Sequence, residues 1–246
     1  MEDWILPGER AEDLEYQGLW ILSAPGCQGV CTDSVLLADF VRAGARDRLV
    51  DLGCGTGVLS LLVAKRTGAF VTGIELMEKP ADMARRAALH NSQERVRILV
   101  MDLAAAPERL GHGSFTAAMA NPPYFTAGER SQSPERAAAR HEGATSLEAV
   151  VKSAAGLLGT GGRFFCCYPA QGMVELACLL RQAGMEPKRL RTVAARQGCA
   201  PRLLLVEARK GGKPGLVWMD PLIVYGEDGA FTPEILRIYH KTEEKP

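Results

Sequence analysis

From residue 48 onward, short apolar runs alternate with stretches of helical period, and each successive run closes on a polar residue. Strands are expected at 48–52, 70–74 and 96–101, with a fourth at 114–120. Helices are expected at 58–65 and 80–91, the second with Pro80 near its first turn. Such alternation implies a doubly wound, mainly parallel α/β sheet, because parallel strands need a crossover between them. Asp51, Glu75, Asp102 and Asn121 then fall at or just before the ends of four consecutive strands. Ligands of open α/β sheets bind at the carboxyl ends of the strands. Four polar residues at four equivalent places therefore define one rim and one candidate site.

The first strand runs into Gly53-Cys54-Gly55-Thr56-Gly57. Glycines let the backbone approach a ligand closely, and the helix that starts at Val58 favours an anionic group at its N-terminus. A nicotinamide-type fingerprint would read G-x-G-x-x-G; here the third glycine comes one residue early. Glu75, 22 residues after Gly53, is placed to accept from a ribose diol, and Asp102 from an adenine amino group. Taken singly, each acid reads better as a polar strand end. With the glycine loop they read as a cofactor rim.

The fourth strand ends in Asn121-Pro122-Pro123-Tyr124. Two prolines stop both strand and helix, and Asn121 before a proline is pushed to extended geometry. The turn presents an amide, exposed carbonyls and an aromatic ring. A planar amine is a poor nucleophile because its lone pair is delocalised. Acceptance of its two hydrogens by an amide oxygen and a carbonyl localises that pair. Positioning then supplies much of the rate, without a charged base. Alone, the tetrapeptide is also a rigid turn with a rim aromatic.

The 246 residues are 47% hydrophobic and 24% charged, with a formal net charge of zero, as expected of an ordinary globular chain. Charge is uneven locally. Residues 1–20 hold six acids and one base, and residues 181–213 hold nine bases and two acids. The basic stripe reads either as a phosphate-binding surface or as a solvated face. Seven cysteines without a C-x-x-C pair suggest neither a disulfide framework nor a metal site. There is no signal peptide and no apolar run of membrane-spanning length, so a cytoplasmic chain without membrane or metal is expected.

The remaining segments complete the plan. Residues 1–31 read as turns and short strands, with 18–22 the best strand. Thr32 or Asp33 is expected to cap a helix through Phe40 and Val41. A long loop, 125–144, precedes a capping box at Thr145-Ser146-Leu147-Glu148. The helix that follows is stopped by the glycines at 159–162. A strand at 163–168, a helix at 173–182 and strands at 189–194, 202–208 and 222–225 come next, and Thr232-Pro233 opens a last helix. The expected division is an N-terminal extension, 1–47, a core, 48–210, and a C-terminal strand–helix addition, 211–246.

The glycine loop, Glu75, Asp102 and Asn121-Pro122-Pro123-Tyr124 together resemble the class I S-adenosylmethionine-dependent methyltransferases that act on amino nitrogens. The resemblance implies a Rossmann-like core with N- and C-terminal additions. It implies that Gly53, Gly55 and Gly57, with Asp51 beside them, hold the methionine portion of the cofactor. Glu75 would hold the ribose hydroxyls and Asp102 would meet the adenine. Asn121, Pro122, Pro123 and Tyr124 would grip the amine, and S-adenosylhomocysteine would be the by-product.

A narrower resemblance spans nearly the whole chain. Thr32-Asp33-Ser34-Val35-Leu36-Leu37, Phe125, Ala139-Arg140-His141-Glu142 and the tail around Tyr225 and Phe231-Thr232-Pro233-Glu234 resemble the bacterial tRNA1(Val) adenine-37-N6 methyltransferases. It implies a cofactor-adjacent role for Thr32 and Asp33, substrate contacts for Phe125, Arg140 and His141, and a tRNA partner. Methyl transfer to the N6 amine of an RNA adenine is thus the leading expectation. The alternatives are another planar amine (ribosomal-RNA guanine, DNA adenine or protein glutamine) or an RNA-binding protein that keeps the fold without catalysis. A glutamine methyltransferase would carry a helical domain before the glycine loop, where this chain has only some fifty residues. A nicotinamide oxidoreductase is disfavoured by the glycine spacing. Substrate position and oligomeric state stay open.

Overall fold

The computed structural model describes residues 4–27, 29–122 and 146–240. In chain order the strands are β1 (Arg10–Asp13), β2 (Trp20–Ser23), β3 (Arg48–Leu52), β4 (Phe70–Glu75), β5 (Val96–Val100), β6 (Phe115–Ala120), β7 (Leu158–Pro169), β8 (Met185–Ala194), β9 (Leu203–Lys210), β10 (Val217–Trp218) and β11 (Leu222–Ile223). The helices are α1 (Thr32–Phe40), α2 (Val58–Thr67), α3 (Glu78–His90), α4 (Ala106–Leu110), α5 (Leu147–Leu157), α6 (Met173–Gln182) and α7 (Pro233–Ile238).

One sheet carries the fold, in the order β10-β8-β9-β7-β6-β3-β4-β5, with β11 also on β8. The run β7-β6-β3-β4-β5 is parallel throughout. Strand β9 lies antiparallel between β7 and β8. The doubly wound, mainly parallel sheet is therefore as expected. Central strands are apolar on both sides because helices cover both. Phe165 and Cys167 of β7 face the layer of α1 and α2, while Phe164 and Cys166 face α5 and α6. Helix α2 is buried on every residue from Val58 to Ala64, so it has no polar face to lose. The N-terminal segment is tied to α3 by Arg86, whose guanidinium takes both carboxylate oxygens of Glu9 at 2.7 Å.

Several boundaries differ from the sequence reading, each for a physical reason. The N-cap of α1 is Cys31, without a side-chain cap, so neither Thr32 nor Asp33 caps the helix. Ser146, not Thr145, caps α5 and accepts from the Ala149 amide at 3.1 Å. Glu148 is then one position too early for the box and pairs with Lys152 instead. The glycines at 159–162 do not separate helix from strand, because β7 begins at Leu158, opposite Phe115. Strand β8 begins four residues before Arg189. Its register shifts between Pro187 and Arg189, which accommodates a residue with no amide to donate. The turn Leu103–Ala105 and the short α4 had no readable periodicity.

Candidate active site

The β3–α2 loop is held from below by the β4 backbone and by one carboxylate. Gly53 and Cys54 both donate to the Ile74 carbonyl at 2.9 Å, which fixes the loop to the end of β4. Gly53, Gly55 and Gly57 all have positive φ, at 78°, 55° and 87°. Their surroundings separate them. A Cβ on Gly53 or Gly55 would meet nothing within 4 Å, so both face open space. A Cβ on Gly57 would stand 3.0 Å from the Ala84 Cβ, so this glycine lets α2 approach α3.

Glu75 binds this loop rather than pointing away from it. One carboxylate oxygen accepts from the Gly55 amide at 2.9 Å and the other from Met77 at 3.0 Å. A carboxylate has about four acceptor positions, so room for ligand hydroxyls remains. Asp51 is 1% exposed and accepts from the Ser60 hydroxyl at 2.6 Å. Burial pushes its carboxyl up to about 7, the Glu75 charge adds to the rise, and the Ser60 bond opposes it. Asp102 is exposed one strand further out, where it accepts from Ala104 at 2.8 Å and caps the turn after β5.

Asn121 closes the rim at the end of β6, and its amide is clamped by side chains from two other elements. Its Nδ2 donates to Ser34 Oγ at 3.0 Å and to Cys31 Sγ at 3.4 Å, both at the start of α1. Its Oδ1 accepts from the Cys167 thiol of β7 at 3.0 Å. Burial above all, then the nearby Asp33 charge, pushes the Cys167 thiol well above its ordinary range, so it stays a donor. Beyond the Cys167 bond, Oδ1 keeps a second lone pair. Asp33 is itself raised by burial.

A small cavity of ≈ 40 Å³ joins these pieces; Gly29, Ser34, Asp51, Gly53, Gly55 and Asn121 line it. Glu75 reaches it through Gly55. Asp102, Thr32, Asp33 and Gly57 do not line it. Pro122 is buried behind Asn121. Pro123, Tyr124, Phe125, Arg140 and His141 lie outside the described residues. Ser34, Cys31, Cys167 and Ser60 were not singled out in the sequence, because each acts through a partner distant in the chain or buried. No group of three or more metal-ligating side chains occurs among the described residues. The donor set suits an organic ligand: open space before two glycines, a free edge of a carboxylate for hydroxyls, and a buried carboxyl beside them.

A parallel sheet of this order with its glycine loop, acidic strand ends and terminal asparagine on one rim defines a class I, Rossmann-like methyltransferase. The chain belongs to the methyltransferase small domain family, whose profile matches residues 27–176. Among curated relatives, the tRNA1(Val) (adenine(37)-N6)-methyltransferase of Shewanella amazonensis is 33% identical over 189 residues, 76% of this chain and 80% of that one. The enzyme of the same description from Tolumonas auensis is 29% identical over 215 residues, 85% and 87% of the two chains. Among solved structures, a predicted O-methyltransferase from Agrobacterium tumefaciens superposes with a TM-score of 0.69 at 24% identity, over 85% of this chain and 96% of that one. The 16S rRNA N2 G1207 methyltransferase of T. thermophilus gives 0.60 at 21%, over 83% and 51%. At these identities the two structures speak for the fold.

Proposed function

We propose that this methyltransferase carries a methyl group from S-adenosylmethionine to the exocyclic N6 amine of an adenine in tRNA, in the cytoplasm. The observation that carries the reading is the Asn121 amide, clamped by Ser34 and Cys167 at the wall of the cavity that the glycine loop shares. S-adenosylmethionine, when bound, supplies an electrophilic methyl on a sulfonium. Gly53 and Gly55 would flank its amino-acid portion, Asp51 would lie near its positive charge, and Glu75 would accept from its ribose hydroxyls. Asp102, beyond Glu75, would meet the base. The lines of curated relatives named above support the nucleic-acid substrate.

Asn121 accepts one hydrogen of the adenine amine, which concentrates the nitrogen lone pair toward the methyl carbon. The carbonyls of the Pro122–Pro123 turn would take the second hydrogen, and Tyr124 would stack on the base. The amine so held would receive the methyl that the bound sulfonium supplies, the S–C electron pair staying with the departing thioether. The surplus proton on nitrogen leaves to water. In this reading residues 48–210 are the transferase core, and 1–47 and 211–246 are additions to it. Phe125, Arg140 and His141 would touch the RNA.

A surface for unstacked bases lies on the same edge of the sheet. Arg196 and Arg202 are exposed in the β8–β9 loop. Beside them Tyr225 stacks on Phe231, with centroids 5.4 Å apart. Aromatic platforms suit single-stranded loops of RNA. The test is transfer of labelled methyl from S-adenosylmethionine to total bacterial RNA, DNA and protein in parallel, followed by nucleoside mass spectrometry. The expected label is N6-methyladenosine in tRNA. Label confined to protein or DNA would overturn the substrate.

A further inference from the structure

The sequence places its basic stripe at 181–213, but the fold consumes most of it. Arg181 pairs with Glu186, Arg189 with Glu207 and Arg191 with Glu234. Lys210 donates to the carbonyls of Ala155 and Leu158, and Lys188 to that of Lys213. Arginines without carboxylate partners gather elsewhere. A groove of ≈ 530 Å³ opens over the N-terminal ends of β3, β4 and β5, and Arg46, Arg48, Arg95 and Arg97 line it with Phe70 and Glu94. None of the four makes a salt bridge among the described residues. Asp47, between Arg46 and Arg48 in the chain, is committed to Arg163 at 3.0 Å and to the Thr116 hydroxyl.

The groove exists because of the register. Phe70 stands opposite Arg48, and Thr72 opposite Arg97. These side chains share the sheet face that α5 and α6 cover further along. Short α4 leaves that face open at β4 and β5. Phe70, at the start of β4, is 50% exposed. The Arg95 guanidinium stacks over it at 4.6 Å while donating to the carbonyls of Ala45 and Gly68. That arrangement fixes one arginine plane beside an apolar ring, with Arg46 and Arg97 exposed near it.

We propose that this groove binds the phosphodiester backbone of the RNA substrate, as a docking site separate from the methyl-transfer rim. The inference rests on the tRNA reading above. Four arginines against one glutamate favour a polyanion, and guanidinium planes match phosphate oxygens in pairs. Specific nucleic-acid interfaces cover on the order of 1,000–2,500 Å², far more than the mouth of a cavity of ≈ 40 Å³. The cavity mouth and the Arg196–Arg202 surface together leave room for a further contact area. Strand β3 has five residues, so the two ends of the sheet lie about 16 Å apart, within reach of one folded RNA.

The test uses the full chain with charge reversals at the two arginines that support nothing else, Arg46→Glu with Arg97→Glu. A milder pair, Arg46→Gln with Arg97→Gln, guards against misfolding. Binding of unfractionated bacterial tRNA is followed by anisotropy across a salt series, beside KM and kcat for methyl transfer to the same tRNA. The reversal should weaken tRNA binding at least about tenfold and flatten the salt dependence by about one to two in slope. KM for tRNA should rise while kcat and S-adenosylmethionine affinity hold, and the glutamine pair should show a smaller shift the same way. Unchanged tRNA affinity, KM and salt slope in both pairs, with wild type active on tRNA, would overturn the groove alone. Wild type that neither binds nor methylates tRNA would overturn the functional reading beneath it.

Discussion

The two halves of the rim are built in different ways. At β3 and β4 the ligand-facing groups are anchored through backbone amides, two on the Ile74 carbonyl and two on the Glu75 carboxylate. At β6 the one amide that matters is held by side chains from α1 and β7. Backbone placement tolerates changes of side chain but not of chain path. Side-chain placement is the reverse, since single atoms decide which way Asn121 faces. The first half suits a cofactor whose shape never varies. The second can be tuned to the amine it receives.

Glu75→Ala should give the largest effect on the cofactor half. It removes a ligand acceptor and unties Gly55 and Met77 at once. Hydrogen bonds to charged groups contribute about 1.5–3 kcal/mol each, so S-adenosylmethionine affinity measured by calorimetry should fall about a hundredfold or more. Retention of affinity within a few fold would mean that backbone anchoring of the loop does not depend on this acid.

The acceptor half is probed at Cys167. Cys167→Ala deletes the donor to Asn121 Oδ1, and turnover should drop about tenfold to a hundredfold through misorientation. Cofactor affinity should not move. Cys167→Ser, which keeps a donor of similar size, should recover most of the loss. Equal turnover in the serine and alanine variants would sink the claim that a hydrogen bond, rather than packing, orients the amide.

Gly73→Ala tests how strictly the chain path is set. A Cβ there would lie 2.6 Å from Ile98 Cδ1 and 2.8 Å from Cys54 Sγ, under the glycine loop. Overpacking of this kind costs about 1–3 kcal/mol, readable as a lower Tm together with weaker cofactor binding. A variant as stable as wild type would show that the loop has slack.

The smallest effect concerns the buried carboxyl between the halves. Asp51 is held at about 7, against an ordinary 3.8, chiefly by burial. Between those values the folded chain keeps a proton that the unfolded chain has lost, so stability falls as pH rises through that window. The Tm of the ligand-free protein should decline over this range, and Asp51→Asn should flatten the decline. A slope unaltered in that variant would assign the proton to another group.

Much of the first half could be read from the chain, because its signals are local. The glycine loop spans five residues, and the acids sit where strands end. The packing role of Gly57 was not visible, since its neighbour Ala84 is 27 positions away. The second half was legible only at Asn121 and Pro122. Ser34, Cys31 and Cys167 meet Asn121 from 87, 90 and 46 residues away, beyond any local pattern. The basic stripe could not be resolved locally for the same reason: Arg191 finds Glu234 43 residues on. Meanwhile the arginines of the groove are scattered as two pairs nearly fifty residues apart, and no run of charge announces them.

Asn121→Ala divides the two halves most directly. Calorimetric titration with S-adenosylmethionine and turnover on tRNA should be measured on the same preparation. Cofactor affinity should stay within about threefold of wild type while turnover falls at least about a hundredfold. Turnover near wild type, or cofactor affinity lost in step with it, would contradict an asparagine that serves the amine alone.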